Sequence, residues 1–388
     1  MNTKNRISPS ENEIIGTLLV IGNGFDLNCG LKSSFNDFFK TKISTIKSAA
    51  DTYLNVVCDN IWYLLFYFAF YDETYYDSEF NQIVEKIPIS NPRWMDIESF
   101  VKKIVTFNKK DDKWMNINLP INCSNYLDYL NSLFSTRMSG YIVGERSQLV
   151  SIKKHFRKIK IEVSGFNIYS YLYLELLKFE ADFKEYISNC VVSDTEYTNN
   201  CKKLLSKLIN FYSEPTSIIS FNYTNPLKWF VDSESHEFKR NYYNIHGSLE
   251  NEIIIGFDSG DVSDNETLSI KMSKAWQKMN LSDKPYELPK KENINKIKIY
   301  GHSLGPQDYS YFHSLFDYYD IYNSGISLIF CYTEYKETEE ENANIRAAFV
   351  SSVYKLLTDY AKKSGSEEKV TTIISRLQLE NRLQIRKI

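Results

Sequence analysis

The sequence predicts an α/β protein with a parallel-sheet, Rossmann-like core and a large helical insertion. A short β-branched apolar run, Thr17 to Ile21, stops at Gly22-Asn23-Gly24 and gives way to the helically spaced Phe25, Leu27, Leu31 and Phe35. The stretch from about 45 to 210 carries mostly helical periodicity. From 216 onward short apolar runs return and alternate with helical segments, the pattern of a parallel sheet. Because the first strand lies so far from the others in the chain, the helical stretch reads as an insertion into one domain.

Taken in order, the polar residues 1–13 read as a disordered arm. Residues 14–44 and 211–335 supply the core, 45–210 the insertion and 336–388 a C-terminal helical segment. Within the insertion, Ile61 to Tyr71 is too short to span a bilayer and reads as a buried helix. Asn91-Pro92 has the form of a cap followed by Pro at the first helical position, after which Trp94, Ile97, Val101 and Ile104 share one face. Leu172, Leu176, Phe179, Phe183 and Ile187 repeat that pattern. Strands are expected at Thr216 to Phe221, Tyr242 to His246, Glu252 to Phe257, Lys296 to Tyr300 and Ile326 to Tyr332. Helices are expected over about 308–320 and 341–363.

The length of 388 residues suits one large domain with an insertion or a few modules. A net charge of −3 provides no global positive field, so nucleic acid is not an expected partner. Tyr and Phe are abundant alongside Lys, Asn and Ile, which fits an aromatic core encoded by an AT-rich genome. The six cysteines are scattered without a C-x-x-C pair, so neither a zinc ribbon nor another metal site is assigned. With no signal-peptide or membrane-spanning pattern, a cytoplasmic protein with reduced thiols is expected.

Polar clusters fall where the expected strands end, which is where open parallel sheets bind ligands. The first turn, Gly22, Asn23 and Gly24, places backbone N–H groups at a helix start and suits a phosphate. A ligand-free tight turn fits the same residues, since the spacing is not that of the dehydrogenase fingerprint. Asp26 reads either as a ligand to a ribose or water, or as a helix-start carboxylate bonded to backbone N–H groups. Asn222, just past a strand, can donate and accept toward a ligand, or simply serve a turn. His246, at the end of another strand, suits a general base near neutral pH. A fourth junction holds Gly301, His302, Ser303 and Asp308, with Asp308 near a helix start where it could act only as a cap. Asp96 and Glu98 lie two apart on a helix, point in different directions and read as a solvated face.

In this order, GNGFDLNCGLKSSF, WMDIESF, FNYTNP, NIHGS and GHSLGPQDYSYF resemble the abortive-infection AbiH family of bacterial antiphage proteins. The resemblance extends from about Leu18 to the C-terminal helices. The same motifs are similar to the sirtuin-like NAD-binding core of bacterial defence NADases. There the glycine turn, an Asn-Tyr-Asp strand end, a His-Gly pair and a Gly-x-Ser-Leu turn correspond to Gly22-Asn23-Gly24, Asn222-Tyr223, His246-Gly247 and Gly301-His302-Ser303-Leu304. The chain departs at Thr224, where that core has Asp, and at Asn23, where it has Ala.

The resemblance implies NAD as substrate, with Asn222 and His246 catalytic. Gly22, Asn23, Gly24, Asp26, Gly301, His302, Ser303 and Asp308 would bind the nucleotide, the 301–308 turn taking its adenosine half. It implies hydrolysis to nicotinamide and ADP-ribose on infection, with a phage-derived trigger or partner defence protein and a homo-oligomer as further partners. The alternative from a different class is a non-catalytic nucleotide-binding sensor or toxin module that acts through a partner.

Overall fold

The computed structural model describes residues 16–50, 59–67, 70, 74–77, 82–85, 94–106, 168–193, 195–209, 215–229, 242–258, 269–281, 286–363 and 367–388. The arm expected at 1–13 and the cap expected at Asn91-Pro92 lie outside these residues.

Six parallel strands form the main sheet: β1 (Gly16–Ile21), β4 (Thr216–Ser220), β5 (Tyr242–Asn244), β6 (Ile294–Tyr300), β7 (Ser327–Tyr332) and β8 (Leu383–Lys387). Their spatial order is β5-β4-β1-β6-β7-β8. Renumbered along the sheet alone this is 3-2-1-4-5-6, the order of doubly wound dinucleotide-binding sheets, with its switch point between β1 and β6. A separate antiparallel pair, β2 (Thr74–Asp77) and β3 (Gln82–Glu85), lies in the insertion. The insertion is therefore not wholly helical.

Strand β1 is buried along its whole length because it is covered on both faces. Its alternate side chains enter different cores. Leu19 and Ile21 join Phe35, Phe38, Trp62, Phe179 and Phe183. These come from α2 (Phe35–Ala50), α3 (Ile61–Phe66) and α5 (Ile168–Ser193). Leu18 and Val20 join Phe312, Phe316, Leu356 and Leu377. Those belong to α8 (Tyr309–Tyr318), α9 (Glu339–Lys363) and α10 (Glu367–Leu379). The insertion thus forms the layer on one sheet face, and the helices of the second half form the layer on the other. The rest of the set comprises the short α1 (Asn23–Asn28), α4 (Trp94–Thr106), α6 (Thr195–Leu208) and α7 (Lys274–Asn280).

Two expectations are corrected. Glu252 to Phe257 is not a strand of the sheet; it makes only isolated bridges, Gly247 to Ile253 and Phe257 to Ser273. Its apolar run is buried because it lies beneath α5, where Glu180 accepts the Ile255 N–H at 2.6 Å. The C-terminal segment is not purely helical, because β8 adds the edge strand next to β7. Buried Arg382 anchors the start of β8, donating to the carbonyls of Ile321 at 2.7 Å and Ile326 at 3.2 Å.

Candidate functional site

The two glycine junctions meet at the switch point and hold each other. Gly22 N–H donates to Tyr300 O at 3.0 Å, and Gly24 N–H to Gly301 O at 2.6 Å. A Cβ on Gly24 would lie 2.8 Å from Gly301 O. Gly301 has φ of +70°, and a Cβ there would lie 2.4 Å from Phe25 N. These glycines exist for close approach of two backbones. Of the amides expected to face a phosphate, those of Gly22 and Gly24 bond to the carbonyls of Tyr300 and Gly301 instead. The Asn23 side chain is tied to Ser33, accepting from its hydroxyl at 2.6 Å.

A cavity of about 910 Å³ opens above this junction, toward the upper end of typical ligand sites. Asn23, Gly24, Asp26, Asn222, His246, Gly301, His302, Ser303 and Asp308 all line it. Gly22 lies beneath, against His302. The turns after β1, β4, β5 and β6 therefore converge, as strand-end ligand sites require.

The turn after β4 is held from behind. Asn244 donates its amide to Asn222 O at 2.6 Å and to Thr224 O at 3.0 Å. Tyr242 OH donates to the same Thr224 carbonyl at 2.8 Å. The Asn222 side chain is buried in the cavity wall, and among the described residues its Oδ1 finds no hydrogen-bond partner while its Nδ2 makes no well-formed hydrogen bond. It lies near enough to Asp26 to favour that carboxylate.

Asp26 does not cap a helix. Its Oδ1 accepts from Tyr197 OH at 2.7 Å and its Oδ2 from Thr224 Oγ1 at 2.8 Å. Burial outweighs these bonds and raises its pKa to about 6.

Asp308 is the hub of a second polar group. Lys274 Nζ lies 2.7 Å from its Oδ1, and His302 Nε2 lies 3.2 Å from its Oδ2. The Leu304 N–H donates to His302 Nδ1 at 2.9 Å, which leaves the His302 Nε2–H to face Asp308. His246 Nε2 stands 3.4 Å from Asp308 Oδ1 without completing a hydrogen bond. Glu98 joins from α4, its carboxylate 2.9 Å from Lys274 Nζ. Burial would raise Asp308, but Lys274, His302 and His246 hold it well below the usual carboxylate range. Burial would lower Lys274, yet Asp308 and Glu98 hold it above its ordinary value. With one ammonium for two carboxyls, burial pushes Glu98 up to about 8 against the pull of Lys274. The neutral pH cluster is Lys274⁺, Asp308⁻ and a protonated Glu98. Burial, then Lys274, pulls His246 down to about 3, so it is neutral and a weaker base than its position in the sequence suggested.

Sequence reasoning missed Lys274 and placed Glu98 on a solvated face. Both are buried. Only the WMDIESF segment carried a signal, its Glu98 lying between the core residues Ile97 and Phe100. Nothing near Lys274 marks it as internal.

Among the described residues no helix is long and apolar enough to cross a membrane. No curated protein and no solved structure matches the chain. The family model described as bacteriophage abortive infection AbiH matches residues 18–332. That span takes in both glycine junctions, Asn222, His246 and Asp308, and the chain belongs to the bacteriophage abortive infection AbiH family.

Proposed function

We propose that the protein serves abortive infection by hydrolysing the nicotinamide–ribose bond of NAD in the switch-point cavity. Family membership supports the antiphage role. The observation that carries the chemistry is the Asn222 amide, buried in the wall of a cavity beside the Asp26 carboxylate, with its Oδ1 unpaired among the described residues. A buried polar group left without partners costs about 1–3 kcal/mol, which a ligand that completes its bonds recovers. In this reading the amide holds a ribose hydroxyl or the attacking water, and neutral His246 offers a second polar contact. Nicotinamide on ribose is a cationic leaving group and departs without an acid. The site therefore has to hold an oxocarbenium-like ribose and present water to its open face.

The test incubates purified protein with NAD, with and without phage lysate, and measures nicotinamide and ADP-ribose by chromatography. Release that falls about 10²-fold or more in Asn222→Ala is expected. NAD that stays intact under every condition would refute hydrolysis. One observation favours a second reading, in which nucleotide binding alone moves the insertion: His246 is a weak base. Calorimetric NAD binding with full recovery of the nucleotide would select it.

A further inference from the structure

Resting on the hydrolysis reading, we propose that Asp26, rather than His246, is the general base that takes the proton from the attacking water. Asp26 lines the cavity beside Asn222 while being only 2% exposed. Each of its oxygens accepts one hydroxyl, from Tyr197 and from Thr224, and with Asn222 also beside the carboxylate at least one lone pair remains for a water. A carboxylate buried for structure alone is normally paired with a cation. Among the described residues the groups that tune Asp26 are Tyr197, Thr224 and Asn222, none of them cationic. The nearby buried ammonium, Lys274, is committed to Asp308 and Glu98.

Among the described residues the titratable groups that feel the Asp26 charge are Tyr197 of α6, Cys29 after α1 and Tyr242 of β5. All are acids, so no neighbour holds the carboxyl permanently ionised. Burial sets it to about 6, near the working pH at which a general base is most useful. His246, in contrast, lies 3.4 Å from the Asp308 carboxylate at Nε2 and is held neutral down to about 3.

In the step, a water O–H bond breaks and its proton goes to the Asp26 carboxylate. The water oxygen forms a bond to C1′ of the ribose. The C1′–N bond breaks with its electron pair going to the ring nitrogen, which leaves as neutral nicotinamide. Asp26 then releases its proton to solvent, so the products are ADP-ribose, nicotinamide and one proton. Tyr197 and Thr224 are positioning residues: each donates to one oxygen and favours the ionised form. Because Tyr197 belongs to the insertion, the base is complete only when α6 is docked on the core.

The experiment records kcat/KM for NAD against pH in wild type and four variants. Wild type should lose activity as pH falls through about 6. Asp26→Asn should lose about 10²–10⁴-fold in kcat with KM little changed. Tyr197→Phe and Thr224→Val each remove a donor, so each should move the acid limb to higher pH. Thr224→Ser keeps the hydroxyl and should leave the limb in place. A folded Asp26→Asn enzyme with wild-type turnover, or an acid limb that stays put in both donor variants, overturns the assignment while leaving hydrolysis intact. Wild type that cleaves no NAD overturns the hydrolysis reading itself, and the role of Asp26 with it.

Discussion

Replacing Lys274 by Met removes the one ammonium from a buried cluster that contains two carboxyls. The ammonium is 2.7 Å from Asp308 and 2.9 Å from Glu98, with its side chain 2% exposed. Removing one partner of such a pair leaves a buried charge uncompensated, at a cost of about 3–5 kcal/mol. Glu98→Gln should behave differently. With Glu98 already protonated near neutral pH, the substitution exchanges one neutral group for another and keeps an oxygen for Lys274. It should cost about 0.5–1.5 kcal/mol, the worth of one hydrogen bond. The two variants also differ in pH dependence. Glu98 is raised from 4.5 to about 8, so the folded protein holds a proton that the unfolded chain releases above 4.5. Stability contributed by that proton is present below 4.5 and lost as pH rises toward 8, by up to about 1.4 kcal/mol per unit for one such group. Glu180, also raised by burial, adds a slope of the same sign. His246, lowered from 6.5 to about 3, acts in the opposite direction, but mainly as pH falls below 6.5. In urea unfolding between pH 6.5 and 8 the carboxyl slope therefore opposes only the fading upper ends of the His246 and His313 titrations, and Glu98→Gln should make it shallower. Equal losses for Lys274→Met and Glu98→Gln, with an unchanged slope, would refute the protonation pattern.

Other substitutions test the junctions around the site. Gly24→Ala places a Cβ 2.8 Å from the Gly301 carbonyl and should lower the unfolding free energy by about 1–3 kcal/mol, read as a lower urea midpoint, without any nucleotide present. A wild-type midpoint would mean that the two turns are not packed backbone to backbone. Arg382→Met strips donors from the carbonyls of Ile321, Tyr322 and Ile326 and should cost about 3 kcal/mol or more, with amide exchange rising first along β8. Unchanged exchange at β8 would contradict its anchoring role.

The sheet was legible where strands are buried on both faces. β1 and β7 are nearly continuous apolar runs, β4 is a short buried run around Ile218 and Ile219, and β6 alternates isoleucines with Lys296 and Lys298; each is followed by polar or glycine turns that the structure brings to one end. β8 was not legible because it is an edge strand carrying Arg386 and Lys387, with Leu383 and Ile385 only partly buried. Glu252 to Phe257 misled for the opposite reason: its apolar run is buried by α5 and by the chain around Ser273, not by neighbouring strands. Convergence of Asn222, His246 and the 301–308 turn followed from strand ends alone. The ionic half of the site did not, because Lys274 and Glu98 are internal only through each other. Single residues in a sequence do not reveal a partner 176 positions away.

The 301–308 turn also changes meaning. As sequence it was a nucleotide-binding loop that included Asp308, with a helix cap as the alternative for that residue. In the structure Asp308 makes no capping bond and instead gathers Lys274, His302 and His246.

The most direct test of the account is the NAD content of bacteria infected with phage while carrying wild type, Asn222→Ala or Asp26→Asn, each confirmed as folded. The account predicts that NAD falls and phage yield drops only with wild type. NAD that remains level in wild-type cells while protection persists, or protection retained by both variants, would contradict it.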